Sequence, residues 1–330
     1  MTAQVLDTTL DLADRARSRV LGVVGRRLRP LLLDRDRRVA FLGTTLVLLA
    51  LALSTLAPLW MLALAPLVWG VPHLLADVRY LVVRQGLARH KTLLVAIAVA
   101  VIAATSGLGV RASLTVATAV ALLQPAAWRR KLPILLALLT ATGLAWRDGL
   151  LADVALAHGH NLLAIAFWLG WRKRAVWLQS LPLVAFTVGT LLVLTGWLAP
   201  TLHTMQPGLG VDDLAAGLAP FATPVWAERL VVFYAFAQAV HYVAWLHLIP
   251  HDDRTRPTPR SFRRSFQALR NDLGPWLLGG ALLAAVALAL LAAIDLTEAR
   301  TRYFQLAFFH GHLELVLLPV LWLRGIRTAA

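Results

Sequence analysis

The 330-residue chain contains no cysteine. That excludes disulfide frameworks, zinc–thiolate sites and Cys-ligated iron–sulfur clusters. Acids are scarce, 17 against 32 Lys and Arg, and long stretches carry no charge of either sign. No short apolar core with a cleavage site follows the charged N-terminus, so no cleavable signal peptide is visible. The first apolar run is expected to act as its own insertion signal. Walker, Gly-rich dinucleotide and nucleophile-elbow patterns are missing, no Ser and His stand at a catalytic spacing, and no internal repeat is strong enough to assign.

What remains is apolar. The chain is 59% hydrophobic with a mean hydropathy of +0.69, too much for a soluble domain with a polar surface and expected of a polytopic membrane protein. A net charge of +15 would suit nucleic acid, but its distribution does not. Of the Lys and Arg, all but Arg111, Arg147, Arg229, Arg300 and Arg302 fall in the N-terminal segment, in alternate loops and at the C-terminus. This is the positive-inside bias of an inner (cytoplasmic) membrane protein, and the partner it implies is anionic lipid headgroups, not nucleic acid.

The expected fold is all-α: a polytopic transmembrane helix bundle of about ten spans, with both termini cytoplasmic. The spans are read at about 39–57, 61–83, 92–109, 112–128, 132–146, 149–171, 175–198, 227–249, 275–294 and 302–323. Residues 1–38 mix Arg and Asp with Leu and Val at helical spacing and read as a basic amphipathic segment on the headgroups. Residues 39–324 form a single transmembrane helical domain. The fourth and fifth spans are short, and the fifth is short enough to be re-entrant. The Pro- and Gly-rich stretch 199–226 reads as an external loop and a candidate lid.

Chemistry concentrates in four spans. In Trp69-Gly-Val-Pro-His-Leu-Leu-Ala-Asp-Val-Arg-Tyr80, His73 and Asp77 stand four residues apart, on one helical face. The sixth span carries His158-Gly-His160-Asn161, the eighth Tyr234, Gln238, His241 and Trp245, and the tenth Tyr303, His310-Gly-His312 and Glu314. Counting at 1.5 Å per residue from the flanking charges puts His73, His158, His241 and His312 within a few ångströms of mid-bilayer. All four helices run in the same direction. Imidazoles and carboxylates at that depth are costly unless paired or coordinating, and imidazole suits iron, zinc and copper.

Residues two apart on a helix point about 200° apart, so one histidine of each His-Gly-His pair can reach a common centre. The candidate metal ligands are His73, His158, His160, His241, His310 and His312. Of these, His73, His241 and His312 are preferred, with one of His158 or His160 as the fourth. Asp77, Asn161, Gln238 and Glu314 are placed to orient the rings through their other nitrogens. Tyr234, Trp245 and Tyr303 are placed to line a cavity. His90, His203 and His251 fall in loops and read as solvated, and His247 reads as interfacial.

The order of these motifs resembles the Brp/Blh family of bacterial membrane β-carotene 15,15′-dioxygenases. Gly70-Val-Pro-His73-Leu-Leu-Ala-Asp77 is similar to that family's Gly-x-Pro-His-Gly-Ala-x-Asp motif, with Leu74 in place of the second Gly. The span around His241 resembles its aromatic span bearing His-Ser-x-Arg-His, though the second histidine is not in place. The His310-Gly-His312 span resembles its His-bearing last helix, and His158-Gly-His160 stands where it has His-Phe-Gly-x-x-Asp. The resemblance implies a non-haem iron held by histidines, activating dioxygen beside a lipophilic, carotenoid- or isoprenoid-like substrate. The residues alone leave two alternatives open. One is a haem-bearing electron-transfer protein with two imidazole ligands. The other is a proton or metal transporter.

Overall fold

The computed structural model describes the chain except residues 1, 24–30, 32, 172–175, 199–210, 255–260 and 327–330. Among the described residues there is helix and no strand. The elements are α1 (Thr2–Val23), α2 (Arg35–Leu56), α3 (Pro58–Asp77), α4 (Lys91–Ala103), α5 (Val110–Leu123), α6 (Trp128–Arg147), α7 (Gly149–Trp171), α8 (Val176–Leu194), α9 (Val211–Leu218), α10 (Pro224–Val243), α11 (Phe262–Ile294) and α12 (Leu296–Arg324). Short π-helical stretches extend α3 (Val78–Val83), α4 (Ala104–Leu108) and α10 (Ala244–Leu248), and the last of these runs on into Ile249–Asp252.

All ten helices expected from the apolar runs form, and among the described residues eight are long and apolar enough to cross a membrane, which makes this a multi-pass membrane protein. The other two are α5 and α6. The 14 residues of α5 reach only about 21 Å against a hydrocarbon core of about 30 Å. α6 opens with Arg129, Arg130 and Lys131, which shortens its apolar part. Large apolar side chains exposed on the outer helices, such as Trp276 and Ile294 of α11 and Trp177 of α8, face where lipid would lie.

Local sequence explains the breaks. Asp34, Ser261 and Asp295 cap α2, α11 and α12 through side-chain oxygens that accept backbone N–H bonds. Pro58 and Pro224 start α3 and α10, where a missing N–H costs nothing. Within α3, Pro66 cannot bond the Leu62 carbonyl, and Arg300 of α12 donates to that oxygen instead, at 3.0 Å. Between α4 and α5 the chain turns on Gly107 and Gly109, both at positive φ. Asp153 of α7 accepts there from Val110 N–H at 2.8 Å, closing the start of α5.

The arrangement decides where chemistry can sit. In the most apolar stretches of α10, α12 and α3, 78%, 61% and 56% of residues are buried, against 6% for α11. α3, α10 and α12 therefore form the interior, α7 borders it at 17%, and α11 lies outside. α11 bends at Gly274–Pro275, and the part before the bend receives α1. Asp14 accepts from Phe262 N–H at 2.8 Å, and Asp7 pairs with Arg263 at 3.2 Å. Thus the N-terminal helix presents acids to another helix as well as carrying the basic residues read as a headgroup face. Residues 24–30 and 32 of that segment lie outside the described residues, as do 199–210 of the loop read as a lid and His203 within it.

Candidate metal centre

The site is built from α3, α7, α10 and α12, the four helices that the histidine pattern singles out. His73 and His241 are buried, each 1% exposed, and His160 and His310 border a cavity beside them. Ring centroids lie 5.2 Å apart for His73–His241, 5.0 Å for His73–His310, 5.2 Å for both His160–His241 and His160–His310, and 6.0 Å for His241–His310. The rings meet edge to face rather than stacked, as imidazoles directed at a common point must. One nitrogen each from His73, His241 and His310 lies within 4.8 Å of the others, so these three can hold a metal ion.

Main-chain carbonyls set the ring tautomers. His73 Nδ1 lies 2.5 Å from the Gly70 carbonyl, His160 Nδ1 3.0 Å from that of Ala157, and His310 Nδ1 bonds that of Ala307. A carbonyl only accepts, so each Nδ1 carries the proton and each Nε2 keeps its lone pair free. His73 Nε2 is buried with no hydrogen-bond partner, and neither nitrogen of His241 has one. Unpaired buried polar atoms are rare because each costs about 1–3 kcal/mol. Several converging on one point fit a cation better than they fit packing.

The centre lies beside a cavity of about 490 Å³. Tyr234, Gln238, Asn161, Tyr242, Tyr303, Phe304 and Phe308 contribute to its wall, which reaches the α4–α5 break at Gly107 and Gly109. Its rim there is open, with Gly107 exposed and Phe308 40% exposed. Close approach makes this wall possible. A Cβ on Gly70 would stand 2.1 Å from Tyr303 Cε2, so only glycine lets Tyr303 lie against α3 with its hydroxyl 3.4 Å from His73 Nδ1. On the opposite side Phe167, Trp168, Trp245, Leu248 and Leu317 pack into an apolar plug. Below the plug, Trp168 Nε1 donates to Asp252 at 2.9 Å and Arg84 pairs with Asp253 at 2.7 Å.

The structure sets three of the expected site residues apart from this group. His310, not His312, faces the other imidazoles. His312 also borders the cavity, but its Nδ1 lies 2.7 Å from Ser113 Oγ of α5 and its ring packs on Phe308. Likewise His160, not His158, joins the cluster. His158 donates from Nε2 to the Leu218 carbonyl of α9 at 2.8 Å and stacks on Phe233. Trp245 does not line the cavity with Tyr234 and Tyr303. It is fully buried in the plug beneath His241, where α10 has widened into its π-helical stretch.

Asp77 and Glu314 are each 0% exposed, and their oxygens have no hydrogen-bond partner. With His241 they form a second group whose ligand atoms lie within 4.8 Å of one another. Sequence reading missed Tyr242, whose ring packs 4.8 Å from that of His73. It also missed Ser113, which sits on a helix with no histidine or acid. Neither position falls on the polar stripe of its helix, so only tertiary packing reveals it. No protein-family model matches the chain, and no curated protein or solved structure does either.

Proposed function

We propose that the protein is a non-haem iron oxygenase of the bacterial-type inner membrane, with both termini cytoplasmic. Its substrate is lipophilic, carotenoid- or isoprenoid-like, as the motif resemblance to the Brp/Blh family implies. The observation that carries this reading is four imidazoles from four helices meeting at a cavity lined in part by aromatic side chains inside the membrane-embedded bundle. The donor set fits iron: neutral imidazole nitrogens, three of them with the proton fixed on Nδ1 by a backbone carbonyl. Iron bound there would supply dioxygen activation.

The chain's own residues do the rest. His73, His160, His241 and His310 would hold the metal, and i−3 carbonyls fix the directions of the His73, His160 and His310 rings as carboxylates do in other metal sites. Tyr234, Tyr303, Phe304 and Phe308 present a surface on which a polyene can lie. The plug packs buried aromatic and aliphatic side chains beneath the centre, and dry surroundings favour controlled oxygen chemistry. Dioxygen and a polyene both partition into the bilayer, and the open rim at Gly107 and Phe308 lies on the bundle's surface.

Haem is the weaker reading, because His73, His241 and His310 stand 5.0–6.0 Å apart, with His160 5.2 Å from two of them, which leaves no slot for a porphyrin between two axial ligands. Transport is weaker too, because the polar groups crowd at one depth, with a layer of buried apolar side chains beneath them. The test is metal analysis and an absorption spectrum on detergent-purified protein, followed by incubation with carotenoid and dioxygen. Bound iron without a Soret band, and oxygenated product, support the proposal. A Soret band, or a protein that takes up no iron, contradicts it.

A further inference from the structure

The four-imidazole cluster leaves part of its surroundings unexplained. A cation held by His73, His160, His241 and His310 takes one nitrogen from each ring. It leaves the other nitrogen of His241 and all four carboxylate oxygens of Asp77 and Glu314 buried without partners. These carboxylates do not orient the rings of His73, His160 and His310. The Nδ1–H groups of His73, His160 and His310 are already given to backbone carbonyls, so His241 alone has an N–H to spare.

Position explains the grouping. Asp77 follows His73 by one turn on α3, and Glu314 follows His310 by one turn on α12, so the carboxylates form a layer just beneath the imidazoles. His241 belongs to both layers: its ligand atom lies within 4.8 Å of those of His73 and His310 in one group, and of Asp77 and Glu314 in the other. When a second cation binds, His241 gives up its N–H proton to solvent, and the resulting imidazolate offers one nitrogen upward and one downward.

The geometry points to a binuclear centre, in which a second divalent transition-metal cation sits between Asp77, Glu314 and the remaining nitrogen of His241. This rests on the reading of the histidine cluster as a metal site and deepens it. Imidazole with two carboxylates is a donor set for Fe(II), Mn(II) or Zn(II), harder than the nitrogen-only site above it. One ion there gives partners to the remaining His241 nitrogen and to both carboxylates, and supplies the counter-charge that a dry interior otherwise denies them. With metal–nitrogen bonds of about 2.0–2.1 Å on either side of one ring, the two ions stand about 6 Å apart.

The experiment is anaerobic titration of the purified, metal-stripped full chain with Fe(II), with iron counted per chain and magnetic coupling read by Mössbauer and EPR spectroscopy. Asp77→Asn and Glu314→Gln are near-isosteric and remove charge from the membrane interior, so they fold if the wild type does. The expected result is two irons in the wild type with exchange coupling, and one uncoupled iron in each variant. One iron in the wild type, unchanged in D77N and E314Q, overturns the second site while leaving the histidine site standing. No iron in any of the three proteins overturns both.

Discussion

Gly70→Ala offers the sharpest structural test of how the centre is assembled. The added Cβ would lie 2.1 Å from Tyr303 Cε2, 2.4 Å from Cζ and 2.7 Å from the hydroxyl oxygen. Carbon atoms pack at about 3.5–4.0 Å, so the ring must retreat by about 1.4 Å or α3 and α12 must part. Tyr303 is 1% exposed and packed among Val71, Leu74 and Ala307, so it has no slack to take up the shift. Overpacking of this kind costs about 1–3 kcal/mol. It also draws the Tyr303 hydroxyl away from His73 and disturbs the ring that hydrogen bonds to Gly70 itself. Thermal unfolding in detergent and iron content per chain should both fall. Tyr303→Ala removes the obstacle, so in a double-mutant cycle the pair should cost less than the sum of the single changes. A G70A protein with wild-type stability and metal content, or strict additivity in the cycle, would refute the reasoning.

Other expectations follow from single contacts. Arg300→Leu strands the Leu62 carbonyl that Pro66 leaves free, and should cost about 1–3 kcal/mol of stability. The loss should shrink in a Pro66→Ala background, where the helix supplies its own N–H; unfolding midpoints of the four proteins check this. Asp153→Ala removes the acceptor for Val110 N–H at the start of α5 and should cost about 0.5–2 kcal/mol, whereas Asp153→Asn keeps an acceptor oxygen and should cost less. Phe308→Trp at the open rim should lower turnover of a bulky polyene while leaving iron content unchanged, as product analysis beside metal analysis would show.

Much of this site is legible in the sequence because a membrane interior punishes stray polar groups. His73 and Asp77 stand out in an apolar run, and both are at the centre. The stripe Tyr234, Gln238, His241 faces the cavity as helical spacing requires. Within the His310-Gly-His312 pair depth alone favours His312, and for His158-Gly-His160 the sequence leaves the choice open. The face of the helix decides, and Tyr303, His310 and Glu314 already share one by spacings of seven and four. On α7, Asn161 lines the cavity beside His160, while His158 turns to α9. What the sequence could not show depends on neighbours distant in the chain: the Gly70–Tyr303 approach, the Ser113 bond that holds His312 aside, and the Asp153 cap across the α4–α5 break. The span count differed because α5 is too short and α6 too charged at its start, which only the observed helix ends establish.

The most direct measurement is iron content per chain across six single variants, each purified under identical conditions. His73→Ala, His160→Ala, His241→Ala and His310→Ala should lower it, while His158→Ala and His312→Ala should retain the wild-type value. Loss of iron in the last two, or its full retention in the first four, would contradict a centre built where these imidazoles meet.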